Sequence, residues 1–148
     1  MEAHNIRIVF LEGPIAHDIV VEETTAAATN HGIGAFNIFL GQVRNDEIEG
    51  KNVCAIDYSA YREMAEEALA RLCAEIVASY QLQQLVLYHS LGIVGTGQIS
   101  LMVLTAAAHR KEAIDSCKVL IDRLKAEAPI WGKELFEDDT FSWKINKP

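Results

Sequence analysis

Apolar positions in this chain recur with two periods, and the switches between them outline the elements. Residues 6–11 are a short apolar run that reads as a strand and stops at Gly13-Pro14. Residues 19–30 have helical character and end before Gly32, a glycine suited to a helix C-cap. Over residues 34–44 the period drops to two. Phe36, Ile38 and Leu40 make one continuously apolar face and Asn37, Phe39 and Gly41 a mixed one, so a long strand is predicted that delivers Arg44 to its end. A polar, charged loop follows at 45–52, then a second strand at 53–59.

Residues 61–80 form the first strong helix. Met64, Ala68, Leu72, Ile76 and Tyr80 recur at helical spacing, while Glu66, Glu67, Arg71 and Glu75 stay outside. Strands at 84–89 and 98–107 are joined by Gly92-Ile93-Val94-Gly95-Thr96-Gly97, whose glycines are out of dinucleotide-loop order and read as a turn. Arg110–Glu127 is the second strong helix, with Ala113, Ile114, Cys117, Leu120, Ile121 and Leu124 as its apolar stripe, and Pro129 stops it. Residues 133–137 and 140–144, separated by Asp138-Asp139, close as a hairpin. Strands and helices mixed without strict alternation predict an α+β sandwich, one sheet covered by two long helices.

Composition narrows the function classes. The 148 residues, 50% of them hydrophobic, suffice for one domain over 1–148 with a sizeable core. Asp plus Glu (21) outnumber Lys plus Arg (13), a formal net charge of -8, which argues against a nucleic-acid partner. Cys54, Cys73 and Cys117 are far apart within apolar segments and read as buried thiols of a reducing compartment, with a thiol nucleophile the less favoured alternative. No apolar run approaches the ~20 residues of a membrane span, and Glu2, with no long apolar stretch after it, does not suit a secretory signal. No membrane partner is therefore expected, and a cytoplasmic location is.

In so acidic a chain, local cations carry information. Ala108-His109-Arg110 opens the second helix and Lys125 closes it. The strand-to-helix junction leaves backbone N–H groups without helical partners, and with the helix dipole these favour an anion, a phosphate being the simplest guest. A cation at a helix N-terminus is poorly placed unless such an anion is bound. The competing reading pairs Arg110 with Glu112 and gives His109 a strand-end carbonyl. Arg44 divides similarly between an ion pair with Asp46 or Glu47 and an anion ligand. Lys125 follows Lys111, Asp115, Lys118 and Asp122 at spacings of three and four, the pattern of a solvated helix face. Its helix-end position favours the protonated amine unless burial or another cation counteracts it. His89 reads as a hydrogen-bonded core histidine. Trp131, Trp143, Phe136 and Phe141 read as packing residues, with an interface as the alternative. No His, Cys or carboxylate cluster has metal-ligand spacing, so no metal is expected.

Several segments, taken in order, resemble a known family: Gly34-Ala35-Phe36 with Gly41-Gln42-Val43-Arg44-Asn45, Asp57-Tyr58-Ser59-Ala60-Tyr61 with Met64-Ala65, His89-Ser90-Leu91-Gly92, Ala108-His109-Arg110, and Leu124-Lys125 with Ala128-Pro129-Ile130-Trp131. Together they resemble the large, catalytic subunit of molybdopterin synthase, over roughly residues 33–144. The resemblance implies an α/β-hammerhead fold with a mostly antiparallel sheet, a homodimer, and a small ubiquitin-like sulfur-carrier subunit bound at each end. It implies that the carrier's C-terminal Gly-Gly thiocarboxylate enters a pocket and donates sulfur twice to cyclic pyranopterin monophosphate, with no cofactor. By position, Arg44, His109 and Arg110 match substrate-holding residues, Lys125 matches the essential lysine, and Lys133 and Glu134 fall in the final basic-acidic segment.

Two positions depart from the family pattern. A lysine is usual where this chain has Gly132, and an arginine is common where it has Ser90. Lys133 is then expected to reach inward, helped by the backbone freedom of Gly132; the alternative is a pocket that has lost a cation, with weaker activity. A non-catalytic phosphate- or pterin-binding α+β module is the alternative that Gly132 keeps open. A purely structural interaction domain would leave Arg44 and Arg110 on separate surfaces.

Overall fold

The computed structural model describes residues 5–145, so Glu2 lies outside the described residues. The elements run β1 (Ile6–Glu12), α1 (Asp18–Ala27), β2 (Ala35–Gln42), β3 (Glu47–Ile48), β4 (Lys51–Ala60), α2 (Arg62–Tyr80), β5 (Gln84–Gly95), β6 (Ile99–Ala107), α3 (Arg110–Glu127), β7 (Ile130–Phe136) and β8 (Phe141–Trp143). The strands lie in the order β2-β6-β5-β4-β7-β8, with β1 beside β5 and β3 beside β4. Among the described residues only the β1–β5 pairing is parallel, so the sheet is mostly antiparallel and the fold is α+β, as expected.

The long strand β5 organises the molecule. Its first half pairs with β6 on one side and β1 on the other, whereas residues 92–95 pair with β4. At the changeover Gly92 has a φ of 77°, a left-handed conformation that strains residues with a side chain, so the bend favours glycine. The expected glycine-rich turn is therefore strand up to Gly95. The chain reverses over Thr96-Gly97-Gln98, where Gln98 N–H donates to the Gly95 carbonyl.

Helices α2 and α3 cover one face of the first half-sheet. Leu69, Leu72, Leu120 and Leu124 pack there on Leu85, Leu87 and Val103. The shorter α1 covers the other face, where Ile19 and Val20 pack on Val86, Met102 and Leu104. With both faces covered, every residue of β6 is buried.

Some local expectations need correction. The row of α2 that packs is Ala65, Leu69, Leu72, Cys73 and Ile76, which keeps Leu72 and Ile76 of the expected stripe, while Met64 is exposed. In α3 Ile114 is exposed and Ser116 is buried in the helix–sheet seam. Gly32 is not a cap: α1 ends at Ala28 in right-handed geometry, and Asn30 Oδ1 accepts from Gly32 N–H in the loop beyond. On β2 the apolar residues Phe36, Ile38 and Leu40 face solvent, because the mixed face is the one that lies against α3. Cys54 is exposed, unlike Cys73 and Cys117, and burial pushes the Cys73 thiol up to about 12. The final hairpin begins at Ile130, directly after α3, and its turn is closed by Asp138 Oδ1 accepting from Thr140 N–H.

A cation-lined cavity as the candidate active site

Where β5 passes from one half-sheet to the other, the halves diverge and leave a cavity of about 370 Å³. Each wall comes from a different element. The register of β2 slips at Gly41/Gln42, and the strand then runs out into Arg44 on the rim. β4 contributes Ile56 and Tyr58, β5 His89, β6 Ser100, α3 Lys125 from its last turn, β7 Glu134, and the residue after β8 is Lys144. A smaller chamber of about 80 Å³ adjoins it, lined by Tyr58, His89, Lys125, Gly132 and Lys144 together with Trp131. Tyr58, His89, Lys125 and Lys144 line both spaces.

The electrostatics follow from this enclosure. Lys125 stays open to solvent through the cavity mouth, yet the protein around its amine lowers its pKa by removing water, and the charge of Lys144 lowers it further. Its helix-end position acts in the opposite sense and is outweighed. His89 is 6% exposed and lies edge-on to the Tyr58 ring at 5.3 Å. Its Nδ1–H donates to the Ser90 carbonyl at 2.7 Å, which leaves the lone pair on Nε2 in the neutral ring. Burial lowers its pKa, the Ser90 carbonyl opposes this, and Lys125 lowers it again. The Tyr58 hydroxyl donates to Ser100 Oγ at 3.1 Å. Burial raises its pKa above the usual phenol value, Ser100 draws it back, and the Glu134 charge raises it.

The structure thus brings Arg44, Lys125 and Glu134 to one cavity. Arg44 Nη2 also donates to Asp46 Oδ2 at 3.1 Å on the exposed rim, a pair that holds the guanidinium only weakly. Lys111–Asp115 and Lys118–Asp122, both 2.7 Å, form the solvated face that the spacing predicted, and Lys125 lies beyond its end. His109 and Arg110 are elsewhere. His109 is the extended N-cap of α3 and Arg110 its first residue, exposed and in no ion pair with a described carboxylate. Lys125 lies fifteen helical steps on from Arg110, roughly 22 Å of rise, too far for one small substrate to touch both. Lys133 also lies outside the cavity, its amine 4.6 Å from the centre of the Phe141 ring.

Tyr58, His89, Ser100 and Lys144 line the cavity without having been singled out as site residues. Tyr58 and His89 did stand within the motif segments, so a signal existed for them. Ser100 and Lys144 reach the site through sheet pairings that no local pattern encodes.

Residues 15–127 match the MoaE protein family. The molybdopterin synthase catalytic subunit of Rattus norvegicus is 35% identical over 132 residues, which are 89% of this chain and 66% of the rat protein. That of Drosophila willistoni is 42% identical over 118 residues, 78% of this chain and 32% of the fly protein. The chain therefore spans about a third of the one curated relative and about two thirds of the other. Among solved structures, the X-ray crystal structure of molybdopterin synthase from Staphylococcus aureus superposes with a TM-score of 0.80 at 29% identity, covering 98% of this chain and 100% of that one. A chain of the Helicobacter pylori complex of subunits 1 and 2 of molybdopterin-converting factor shares the fold, with a TM-score of 0.78 at 22% identity over 96% of this chain and 91% of that one. With the family's own stretch filling most of the chain, and a relative more than a third identical over nearly all of it, the chain belongs to the MoaE protein family.

Proposed function

We propose that this chain is a molybdopterin synthase catalytic subunit, which moves sulfur from the thiocarboxylate of a small carrier onto cyclic pyranopterin monophosphate. The observation that carries the proposal is the state of Lys125, an amine in a cation-lined cavity whose proton is held less tightly than in water. Such a group gives up its proton more readily, as a general acid must, and in its charged form it steadies oxyanions that develop as sulfur adds to the pterin side chain. Arg44 at the rim offers a planar fork for phosphate oxygens, and Glu134, 7% exposed on the wall, offers an acceptor to the pterin's N–H groups.

The route for the carrier is suggested by a second groove of about 420 Å³ lined by Ser59, Ala60, Tyr61, Trp131 and Trp143. Trp131 also lines the small Lys125 chamber, so groove and chamber adjoin. Exposed aromatic rings around a groove are what a protein partner covers, and an 80 Å³ chamber suits a tail that ends in two glycines. Lys133, against the Phe141 and Trp143 rings, belongs to this carrier side.

A homodimer gives His109 and Arg110 a place in the same reaction. Among the described strands β2 ends the sheet order, and it carries Phe36, Ile38 and Leu40 outward. It starts beside α3, where Gly34 N–H donates to the Ala107 carbonyl, and ends at the cavity. Two β2 edges related by a twofold axis run antiparallel, so the helix start of one copy comes to the cavity of the other.

The test is reconstitution of purified protein, thiocarboxylated carrier and cyclic pyranopterin monophosphate. Formation of the dithiolene product is expected. Binding of the pterin without any sulfur transfer would instead identify a non-catalytic module.

A further inference from the structure

We propose that Lys144 is the second cation of the Lys125 chamber and a positioning residue for Lys125, in the role that the sequence alone suggests for Lys133. The inference rests on the sulfur-transfer reading for its effect on rate, but not for its effect on Lys125. Successive strand residues point to opposite faces, and Gly132 and Lys133 are neighbours on β7. Gly132 lies on the chamber side, against Ile56 and Tyr58. Lys133 is therefore turned to the far face, where its amine stands 4.6 Å from the Phe141 ring centre and 5.8 Å from that of Trp143. Two aromatic faces hold it there, and entry to the chamber would require it to cross the sheet.

Position 132 has little room for a side chain of its own. A β-carbon there would lie 3.0 Å from Cγ2 of Ile56, tighter than ordinary packing. The space is reached from the next strand instead. Trp143 pairs with Lys133, and one residue on, Lys144 N–H donates to the Gly132 carbonyl at 2.8 Å. The alternation that turns Trp143 and Lys133 outward turns Lys144 inward over the bare glycine, and its side chain lines both the cavity and the chamber.

Among the described residues, the charged and titratable groups that line the cavity with Lys125 are Arg44 and Asp46 from beyond β2, Tyr58 from β4, His89 from β5, Glu134 from β7 and Lys144 from beyond β8. Lys144 is the cation among them whose charge loosens the Lys125 proton. Two ammonium groups in one chamber repel each other when it is empty and together clamp an anion when it is filled, as a thiocarboxylate or phosphate would fill it.

The proposal is tested on the protein alone and in turnover. Lysine amines are labelled by reductive methylation with carbon-13, and the Lys125 resonance, assigned by its loss in Lys125→Arg, is titrated by NMR in wild type and in Lys144→Met. The Lys125 midpoint is expected to rise in Lys144→Met, and an unmoved midpoint overturns the proposal whether or not the wild type transfers sulfur. In single-turnover assays with wild-type carrier, Lys144→Met is expected to slow transfer about 100-fold, Lys144→Arg to recover most of that rate, and Lys133→Met to cost at least tenfold less than Lys144→Met. A Lys133→Met loss equal to that of Lys144→Met also overturns it.

Discussion

At Lys125 two effects lower the proton affinity, removal of water and the nearby charge of Lys144, and together they outweigh the helix dipole that would raise it. Lys125→Ala is therefore expected to cost about 100- to 10,000-fold in sulfur-transfer rate, the range for a positioned acid-base group. Its thermal unfolding should hardly change, because the side chain is open to solvent and lies outside the packed row of α3. A folded mutant that transfers sulfur at the normal rate excludes Lys125 from the chemistry. His89 carries a stability consequence instead. Its folded pKa lies below the ordinary value, chiefly through burial, so as the pH falls below about 6.5 the unfolded chain takes up a proton that the folded chain does not. The unfolded state then binds more protons, and stability drops through that window until the folded pKa is passed. His89→Asn keeps a donor toward the Ser90 carbonyl but cannot titrate, so its urea midpoint should fall less on acidification than that of the wild type. Equal falls in the two proteins place the sensitivity elsewhere.

Among the elements, α3 sets the position of Lys125 most directly. Leu120 and Leu124 seat it on the sheet, and Thr105 Oγ1 of β6 donates to the Ala113 carbonyl at 2.6 Å, pinning its first turns. Leu120 is fully buried, so Leu120→Ala is expected to destabilise the fold by about 2–5 kcal/mol, measurable by chemical denaturation. A cost well below 1 kcal/mol would mean that α3 is held mainly by its ends. The β7–β8 hairpin acts on the site in another way. Its alternation decides which of Lys133 and Lys144 enters the chamber. That the last segment is a hairpin was legible from its turn residues; which face each lysine takes was not, since it depends on pairing with β4.

For the whole molecule, Arg110 and the cavity lie at opposite ends of α3, so the proposed site is complete only across two copies. The prediction is complementation. Arg110→Ala and Lys125→Ala are each expected to be nearly inactive, but unfolding and refolding them together gives mixed dimers in which one of the two sites has both residues intact. Random pairing makes half the dimers mixed, so about a quarter of the wild-type activity should return. No recovery in a mixture shown to contain mixed dimers would place His109 and Arg110 outside the substrate site.

Local pattern sufficed for what depends on near neighbours in the chain. The 3.6-residue period marked α2 and α3, the turn at Asp138-Asp139 marked the final hairpin, and the ladder of opposite charges from Lys111 to Asp122 marked the solvated face of α3. Acidic composition made Arg44 a candidate anion ligand, and the family resemblance of the motif segments added Lys125 and Glu134; the fold gathers all three in one cavity. Tertiary structure decided the rest, because side-chain direction on a strand depends on register with distant partners. The apolar stripe of β2 faces outward since α3 occupies its other side, β5 bends at Gly92 to open the cavity, and Lys144 reaches the chamber because β8 lies across from Gly132. Those relations join residues far apart in the chain, and no spacing along the sequence records them.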